Sequence, residues 1–349
     1  MPYFIKHNLQ LAATTKKRNL SEVNLFREMM EVFRKYYHAT VILNETHQKL
    51  VDFDTHNPYT KAIISKKTKE ISDLHIITYS PSRCIVRETF LQAKVARGTN
   101  GLQKSGTFKF EGDWFQYDLL SRRPLIYPPH RGAAFAGSYY QGLLQNAVLP
   151  SIGSYGVFYK DSSNLVDFAY QPANLLQLIR MQSNFKADFH MNSNIPSLGH
   201  PKGIPDLSYT TNVDIFENAV IHNLVGSPFV LQTPDYYPYY WWHWYDDLYY
   251  KLATNKNNSK YQIEDVLHGL EDFYQFVYQN REIFIQDGEE HSETLNRYRE
   301  LGDLGQNVRE NNDYSRNIEE HTNRNSENEN SDICRGPISL ILLNTDNCK

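Results

Sequence analysis

Apolar side chains near the start of the sequence recur every three or four positions over residues 20–37, LSEVNLFREMMEVFRKYY. This spacing predicts an amphipathic helix with one face packed on a core, and Ser21 is suited to be its N-cap. The predicted apolar stripe consists of Val23, Phe26, Met30, Phe33 and Tyr37.

Two β-rich runs follow this helix and are separated by a short turn sequence. ISDLHIITY (71–79) and CIVRETFLQAKV (84–95) predict strands, and SPSR between them predicts a hairpin turn. After the Gly-punctuated loop RGTNGLQKSG, residues 111–123 return to helical spacing and end in two arginines before a proline. The first third of the chain therefore predicts a helix, a hairpin and a second helix, in that order.

The second half continues this alternation. YGVFYK and LVDFAY flank DSSN as a second hairpin, ANLLQLIRMQ predicts a helix, and residues 264–284 predict a long amphipathic helix. The apolar run ISLILL at 338–343 fits either a docked last strand or a tail. Helices alternating with hairpins predict a mixed fold class, α/β or α+β.

The net charge of −4 is unevenly distributed along the chain. Residues 285–333 contain thirteen acidic residues and five arginines, a local charge of −8, which leaves +4 on the rest. The Asn-rich part, 303–333, has the composition of a segment that cannot offset its ordering entropy by burial. We therefore expect a core over 1–135, a continuation or second α+β subdomain over 136–302, and an acidic disordered tail over 303–349.

Neither a disulfide framework nor a secretion signal is indicated. Cys84, Cys334 and Cys348 form no CxxC pair and no cluster with zinc-ligand spacing. The N-terminus lacks a continuous apolar segment, and no stretch approaches the roughly 20 apolar residues that span a bilayer. These features predict a cytoplasmic protein with no membrane partner.

Polar side chains interrupt the second strand of the first hairpin. In an extended chain Phe90, Gln92 and Lys94 share one face, and a tight turn over SPSR would place Asp73 opposite Phe90 on that face. Carboxylate and amide oxygens are hard ligands suited to Mg²⁺ or Mn²⁺, and an adjacent ammonium suits phosphate chemistry. The pattern predicts a metal-assisted phosphodiester site, with a cross-strand ion pair between Asp73 and Lys94 as the alternative.

The sequence E-I-S-D-L-H-I-I, followed by R-E-T-F-L-Q-A-K, resembles the core of the PD-(D/E)XK nuclease superfamily over residues 20–126. The resemblance implies a restriction-endonuclease-like core, in which a central sheet is flanked by helices. It also implies that Asp73, Gln92 and the Ala93 carbonyl hold the metal and that Lys94 serves the nucleophile. Gln92 replaces the acidic residue that is usual in the motif.

The superfamily often carries a glutamate on the helix before the hairpin. Glu22 is the best match, with Glu28 and Glu31 as rivals, although an acid in the first helical turn is also explained by the helix dipole. Gln116, in the following helix, occupies a place where related nucleases often have a site-supporting glutamine. A surface amide is the alternative for Gln116.

Residues 94–131 carry seven basic and three acidic side chains next to this predicted site. Such a local charge favours a phosphate backbone, so we expect a nucleic-acid substrate, and a solvated basic face is the alternative. The resemblance favours DNA over RNA as this substrate. The resemblance implies a defence or restriction setting. The residues expected to contact the substrate are Arg97, Lys104, Lys109, Gln116, Arg122 and Arg123.

Two further functions fit the sequence. A nuclease fold whose site has decayed would bind nucleic acid without cleaving it, and the missing charge at Gln92 favours this reading. The aromatic run at 236–250 would serve an interaction protein as a docking surface, although such runs more often belong to a core or an interface. A homodimer is compatible with each of these functions.

Overall fold

A computed structural model describes residues 4–15, 21–43, 50–98, 101–102, 107–127, 142–145, 147–160, 163, 165–192, 213–229, 263–280, 284 and 339–348. The helices of these residues are α1 (Phe4–Thr15), α2 (Glu22–Tyr37), α3 (Trp114–Arg122), α4 (Val213–Ile221) and α5 (Ile263–Gln279). The strands are β1 (Thr40–Ile42), β2 (Leu50–His56), β3 (Ile63–Glu70), β4 (Leu74–Ser80), β5 (Ile85–Val95), β6 (Arg97–Gly98), β7 (Gly101–Leu102), β8 (Thr107–Asp113), β9 (Gly153–Lys160), β10 (Val166–Pro172), β11 (Gln177–Met181), β12 (Lys186–Asn192), β13 (Ser227–Pro228) and β14 (Ser339–Asn344).

A mixed sheet occupies the centre of the fold, in the order β1-β14-β4-β5-β9-β10 with β13 paired to β5. β4 and β5 form an antiparallel hairpin, whereas β14 runs parallel to β4 and β9 runs parallel to β5. One face of the sheet packs against α1, α2 and α4, and the other packs against α3 and α5. The predicted mixed class, a central sheet flanked by helices, is confirmed.

Helix α2 begins where the sequence predicts, because the Ser21 side chain accepts a hydrogen bond from the backbone N–H of Asn24. Its buried face is rotated from the predicted one, since Val23 is 53% exposed. The buried side chains of α2 are Leu25, Met29, Met30, Val32, Phe33 and Tyr37. Placing Val23 in the stripe was wrong because a second, larger set of apolar residues has the same helical spacing.

The first predicted hairpin forms, with a longer turn than expected. Pro81–Arg83 make a 3-10 turn, and the next residue takes a left-handed conformation with φ of 50° before β5 begins. The longer turn shifts the register of the hairpin by two residues. Phe90, which was predicted to lie opposite Asp73, pairs with His75 instead, and Asp73 lies beside Gln92. An even shift keeps every side chain on its predicted face.

Three predictions of secondary structure outside the hairpin are corrected. Part of ANLLQLIRMQ forms strand β11 rather than a helix, because it pairs with β12 in a separate sheet of order β11-β12-β8 and pairing overrides helical propensity. The predicted loop after β5 contains the short paired strands β6 and β7. Helix α3 starts at Trp114 rather than 111, because β8 runs to Asp113 and the Asp113 side chain then caps the helix. The second predicted hairpin, β9–β10, is confirmed.

The apolar run near the C-terminus is a docked strand. β14 lies between β1 and β4, and it pairs with β4 from Ser339 opposite Leu74 onwards. After β14, the Asp346 carboxylate accepts hydrogen bonds from Ser80 Oγ at 2.6 Å and from the Ser82 backbone N–H at 2.7 Å. The expectation of a tail extending to residue 349 is therefore wrong for the strand and for the turn that follows it.

The central sheet also joins both sides of the expected boundary at residue 135, because β9 and β10 belong to the same sheet as β4 and β5.

The aromatic run 236–250, the acidic segment 303–333 and Lys104 lie outside the described residues. Among the helices of the described ranges, none is long and apolar enough to cross a membrane.

Candidate functional site

Asp73 lies just before β4, where the hairpin brings its carboxylate against the neighbouring strand. Asp73 Oδ2 accepts a hydrogen bond from the Ala93 backbone N–H at 2.7 Å and another from Gln92 Nε2. Two donors from adjacent residues of β5 thus fix the orientation of this carboxylate. The structure brings Asp73 and Gln92 together as predicted, directly across the hairpin rather than diagonally.

The Gln92 side chain is 5% exposed, and among the described residues only the nitrogen of its amide has a hydrogen-bond partner. Its Nε2 donates to Asp73, whereas its Oε1 is buried and has no hydrogen-bond partner among the described residues. A buried polar atom without a partner is unfavourable by about 1–3 kcal/mol. An unpartnered oxygen beside a carboxylate is therefore a place where a donor or a cation would be bound favourably.

Lys94 continues the polar face of β5 and pairs with a helix. Its Nζ lies 3.3 Å from Glu22 Oε1, in the first turn of α2, and the Lys94 side chain is 20% exposed. Of the three glutamates considered on α2, Glu22 is thus the one that reaches Lys94, whereas Glu31 pairs with Arg34. The predicted ion pair between Asp73 and Lys94 is replaced by one between Glu22 and Lys94.

Glu70, which the sequence analysis did not single out, adds a third carboxylate to this group. It ends β3 and interacts electrostatically with Asp73, Lys94 and Glu22. Burial raises the pKa of Glu70 to about 8, and the nearby Asp73 carboxylate adds to the rise. Burial also raises the pKa of Asp73 to about 6, against the lowering effect of Lys94. The signal that could have found Glu70 is its position three residues before Asp73, at the start of the run E-I-S-D.

Gln116 supports the site from behind. It is 6% exposed, and its Nε2 donates a hydrogen bond to the Ile71 backbone carbonyl at 3.0 Å. Ile71 lies two residues before Asp73, so this bond fixes the segment that presents the carboxylate. The alternative of a surface amide is therefore wrong, and the site-supporting role of Gln116 stays a prediction.

The basic residues expected to bind substrate have varied surroundings. Arg122 donates to the Asp118 carboxylate at 2.8 Å, and Arg123 donates to the Ala147 carbonyl at 3.1 Å, so both have partners within the protein. Lys109 is exposed on β8, in the three-stranded sheet. The backbone of Arg97 lies in β6, just after the hairpin strand that carries Lys94.

The donor set around Asp73 can be compared with what a divalent cation requires. In the part of the chain that the structure describes, no three His, Cys, Asp or Glu side chains form a group that could hold a metal ion. The donors that the resemblance implies here are the Asp73 carboxylate, the backbone carbonyl of Ala93 and Gln92 Oε1, which has no hydrogen-bond partner among the described residues. Because Mg²⁺ takes few protein ligands and keeps several of its waters, this small oxygen set fits Mg²⁺.

Comparison of the chain with protein-family models, with curated proteins and with solved structures finds no match. The function is therefore inferred from the residues around Asp73 and from the chemistry that they allow.

Proposed function

We propose that this protein is a Mg²⁺- or Mn²⁺-dependent nuclease that hydrolyses phosphodiester bonds of DNA at the site around Asp73. The observation that carries the proposal is the convergence of Asp73, Gln92 and Lys94 on one face of the hairpin, with an unpartnered buried oxygen on Gln92. The order of α2, the β4–β5 hairpin and α3 supports a restriction-endonuclease-like core as part of the same proposal.

Each residue has a distinct part in this proposal. Asp73, Gln92 and the Ala93 carbonyl would hold the cation, which would stabilise the negative charge that develops on the phosphate. Lys94 orients the attacking water, and its ammonium adds positive charge beside the reacting group. Glu22 positions Lys94 through their contact at 3.3 Å, and Gln116 positions Asp73 through the backbone of Ile71.

The direct test is cleavage by the purified full-length protein. Linear and supercoiled DNA, single-stranded DNA and RNA are incubated with Mg²⁺ or Mn²⁺, and the Lys94→Ala variant is assayed in parallel. We expect Lys94→Ala to lower the cleavage rate by about 100-fold or more, as is usual when a group acts on the attacking water.

Lys6→Ala is the matched control for this test. Lys6 is 27% exposed and pairs with Asp167 at 3.5 Å, so it resembles Lys94 in exposure and pairing but belongs to α1. Equal cleavage by wild type and Lys94→Ala would exclude the proposed site, and loss of cleavage in both lysine variants would show a general effect of removing a paired charge.

A second function, nucleic-acid binding without cleavage, is favoured by one specific observation. Asp73 Oδ2 already has two N–H donors, and Lys94 already has a carboxylate partner, so these charges have partners without a cation. Electrophoretic mobility shifts at several salt concentrations distinguish this function. Binding that weakens steeply with salt, without cleavage in either metal, would favour it over the nuclease.

A further inference from the structure

A row of polar side chains crosses the central sheet from the candidate site into the protein. Gln92 on β5 pairs with Tyr155 on β9, and Tyr155 pairs with Gln171 on β10. Because directly paired residues on adjacent strands share one face, Gln92, Tyr155 and Gln171 are consecutive neighbours on the same face. Asp73 begins the row, through its hydrogen bond with Gln92.

The members of this row have buried polar atoms that nothing in the described chain satisfies. Tyr155 and Gln171 are both 0% exposed. Gln92 Oε1, the Tyr155 hydroxyl, and both the Oε1 and the Nε2 of Gln171 have no hydrogen-bond partner among the described residues. Four such atoms on three adjacent strands are unusual, since nearly all buried polar groups in proteins are hydrogen-bonded.

Tyr170, one residue before Gln171, shows what a satisfied tyrosine looks like in this sheet. It is also 0% exposed, and its hydroxyl lies 2.8 Å from Ser154 Oγ. Tyr170 and Tyr155 therefore both lie buried in strands of the central sheet, but of the two hydroxyls only that of Tyr170 has a hydrogen-bond partner among the described residues.

The chemistry of the row suits ordered water. Gln171 Nε2 can donate, Gln92 Oε1 can accept, and the Tyr155 hydroxyl can do either. Buried waters typically make about three hydrogen bonds to polar groups that would otherwise lack partners. A carbonyl-type oxygen also has two lone pairs, so Gln92 Oε1 can accept from water and still face a cation.

We propose that ordered water bridges Gln92, Tyr155 and Gln171, and that Tyr155 and Gln171 are positioning residues that fix the Gln92 amide with its Nε2 toward Asp73. The consequence for metal binding rests on the proposed function, because Gln92 is one of the proposed ligands. The water and the orientation of Gln92 do not depend on a metal.

The test uses crystal structures of the full-length, metal-free protein together with Mn²⁺ titrations followed by electron paramagnetic resonance. The variants are Tyr155→Phe and Gln171→Leu, and Tyr170→Phe is the matched control. In the wild type we expect water within about 3 Å of the Tyr155 hydroxyl and of the Gln171 amide. In both variants we expect the contact between Gln92 Nε2 and Asp73 to be lost from part of the molecules.

The expected effect on the metal is a rise of about 10-fold in the Mn²⁺ dissociation constant for Tyr155→Phe and for Gln171→Leu, with no change for Tyr170→Phe. Wild-type crystals without ordered water at Tyr155 and Gln171 would overturn the inference. An unchanged orientation of the Gln92 amide in both variants would overturn it as well. A wild type that binds no Mn²⁺ would refute the metal site in the proposed function, while the crystal structures would still decide the role of the row.

Discussion

The carboxylates of Glu217, which is buried, and of Asp73, which is partly buried, both accept hydrogen bonds from backbone N–H groups, yet their surroundings differ. Glu217, in α4, accepts from the backbone N–H groups of Phe4 and Ile5, at 3.0 Å each, and from the Tyr37 hydroxyl at 2.5 Å. These donors join α4 to α1 and α2. Asp73 accepts from one backbone N–H and one amide, both on β5.

The charges near the two groups point to different roles. Three donors surround Glu217, and one neighbouring carboxylate, that of Asp214, adds to the rise in its pKa. Asp73 interacts with the carboxylates of Glu70 and Glu22 and with the ammonium of Lys94. Hydrogen-bond donors stabilise an ionised carboxylate, whereas neighbouring carboxylates repel one another when they are ionised unless a cation is bound. The two sites therefore differ in the balance between donors and acidic neighbours.

The largest expected effect on stability is at Glu217. Glu217→Ala would leave the backbone donors of Phe4 and Ile5 and the Tyr37 hydroxyl without their acceptor, at about 1–3 kcal/mol for each group that stays buried. We expect the free energy of unfolding, measured by urea denaturation, to fall by about 3–4 kcal/mol. The control Glu31→Ala removes an exposed ion pair with Arg34 and should change it by less than about 1 kcal/mol.

Asp73→Asn should change the cleavage rate strongly and the stability little. The amide keeps an oxygen for the Ala93 N–H but carries no charge, so we expect a cleavage rate lower by about 100-fold or more. Stability should remain within about 1 kcal/mol of wild type, because the change relieves repulsion with Glu70 and Glu22. A destabilisation as large as that of Glu217→Ala would show that both carboxylates are structural.

Glu70→Gln tests the repulsion through its dependence on pH. Burial raises the pKa of Glu70 from its ordinary value of 4.5 to about 8, so the folded state binds more protons than the unfolded state between these pH values. The free energy of unfolding of the wild type should therefore fall as pH rises from about 4.5 to about 8. At pH 4 the variant should match the wild type, and at pH 8.5 it should be more stable by about 1–2 kcal/mol.

Urea denaturation of both proteins at several pH values provides this measurement. Mg²⁺ binding should reduce the difference at pH 8.5 if the cation compensates the acidic charge, because ligands that bind only the folded state stabilise it. Parallel pH curves for wild type and Glu70→Gln would mean that Glu70 is ionised as easily as in the unfolded chain.

The smallest expected effect is at Glu22, whose side chain is 34% exposed. Glu22→Gln removes the charge that holds Lys94, and partly exposed ion pairs contribute about 0.5 kcal/mol. We expect the melting temperature to change little and the cleavage rate to fall by about threefold to tenfold. A loss as large as that of Asp73→Asn would place Glu22 in direct contact with the reacting groups rather than behind Lys94.

The sequence predicted the hairpin part of the candidate site because the faces of neighbouring side chains are decided within a short segment. Alternation along β5 puts Gln92 and Lys94 on one face whatever the exact turn, and a shift of two positions left Asp73 on that face. The helix before the hairpin was likewise predicted by its spacing and its N-cap. Part of the buried stripe of α2 was misjudged, since two apolar sets there share the helical period.

The other contributions depend on contacts between distant segments. The row formed by Gln92, Tyr155 and Gln171 exists only because β9 and β10 follow β5 in the sheet. Glu70 is the exception, since it lies three residues before Asp73 and was overlooked although it is close in sequence. The segment ANLLQLIRMQ, which contains β11, was misjudged because its leucines favour a helix, while the pairing with β12 selects a strand. Spacing along one segment carries no information about which segments become neighbours.

The position of β14 between β1 and β4 has a consequence for the synthesis of the protein. Asp346 bonds to Ser80 from a position 266 residues further along the chain, and β14 provides the parallel neighbour of β4. At about 5–20 residues per second, the ribosome makes β14 roughly 10–50 s after β4. During that delay one backbone edge of β4 is without its final partner and can pair with strands of other nascent chains. Chaperones that shield exposed strand edges should therefore act on this protein until β14 has been translated.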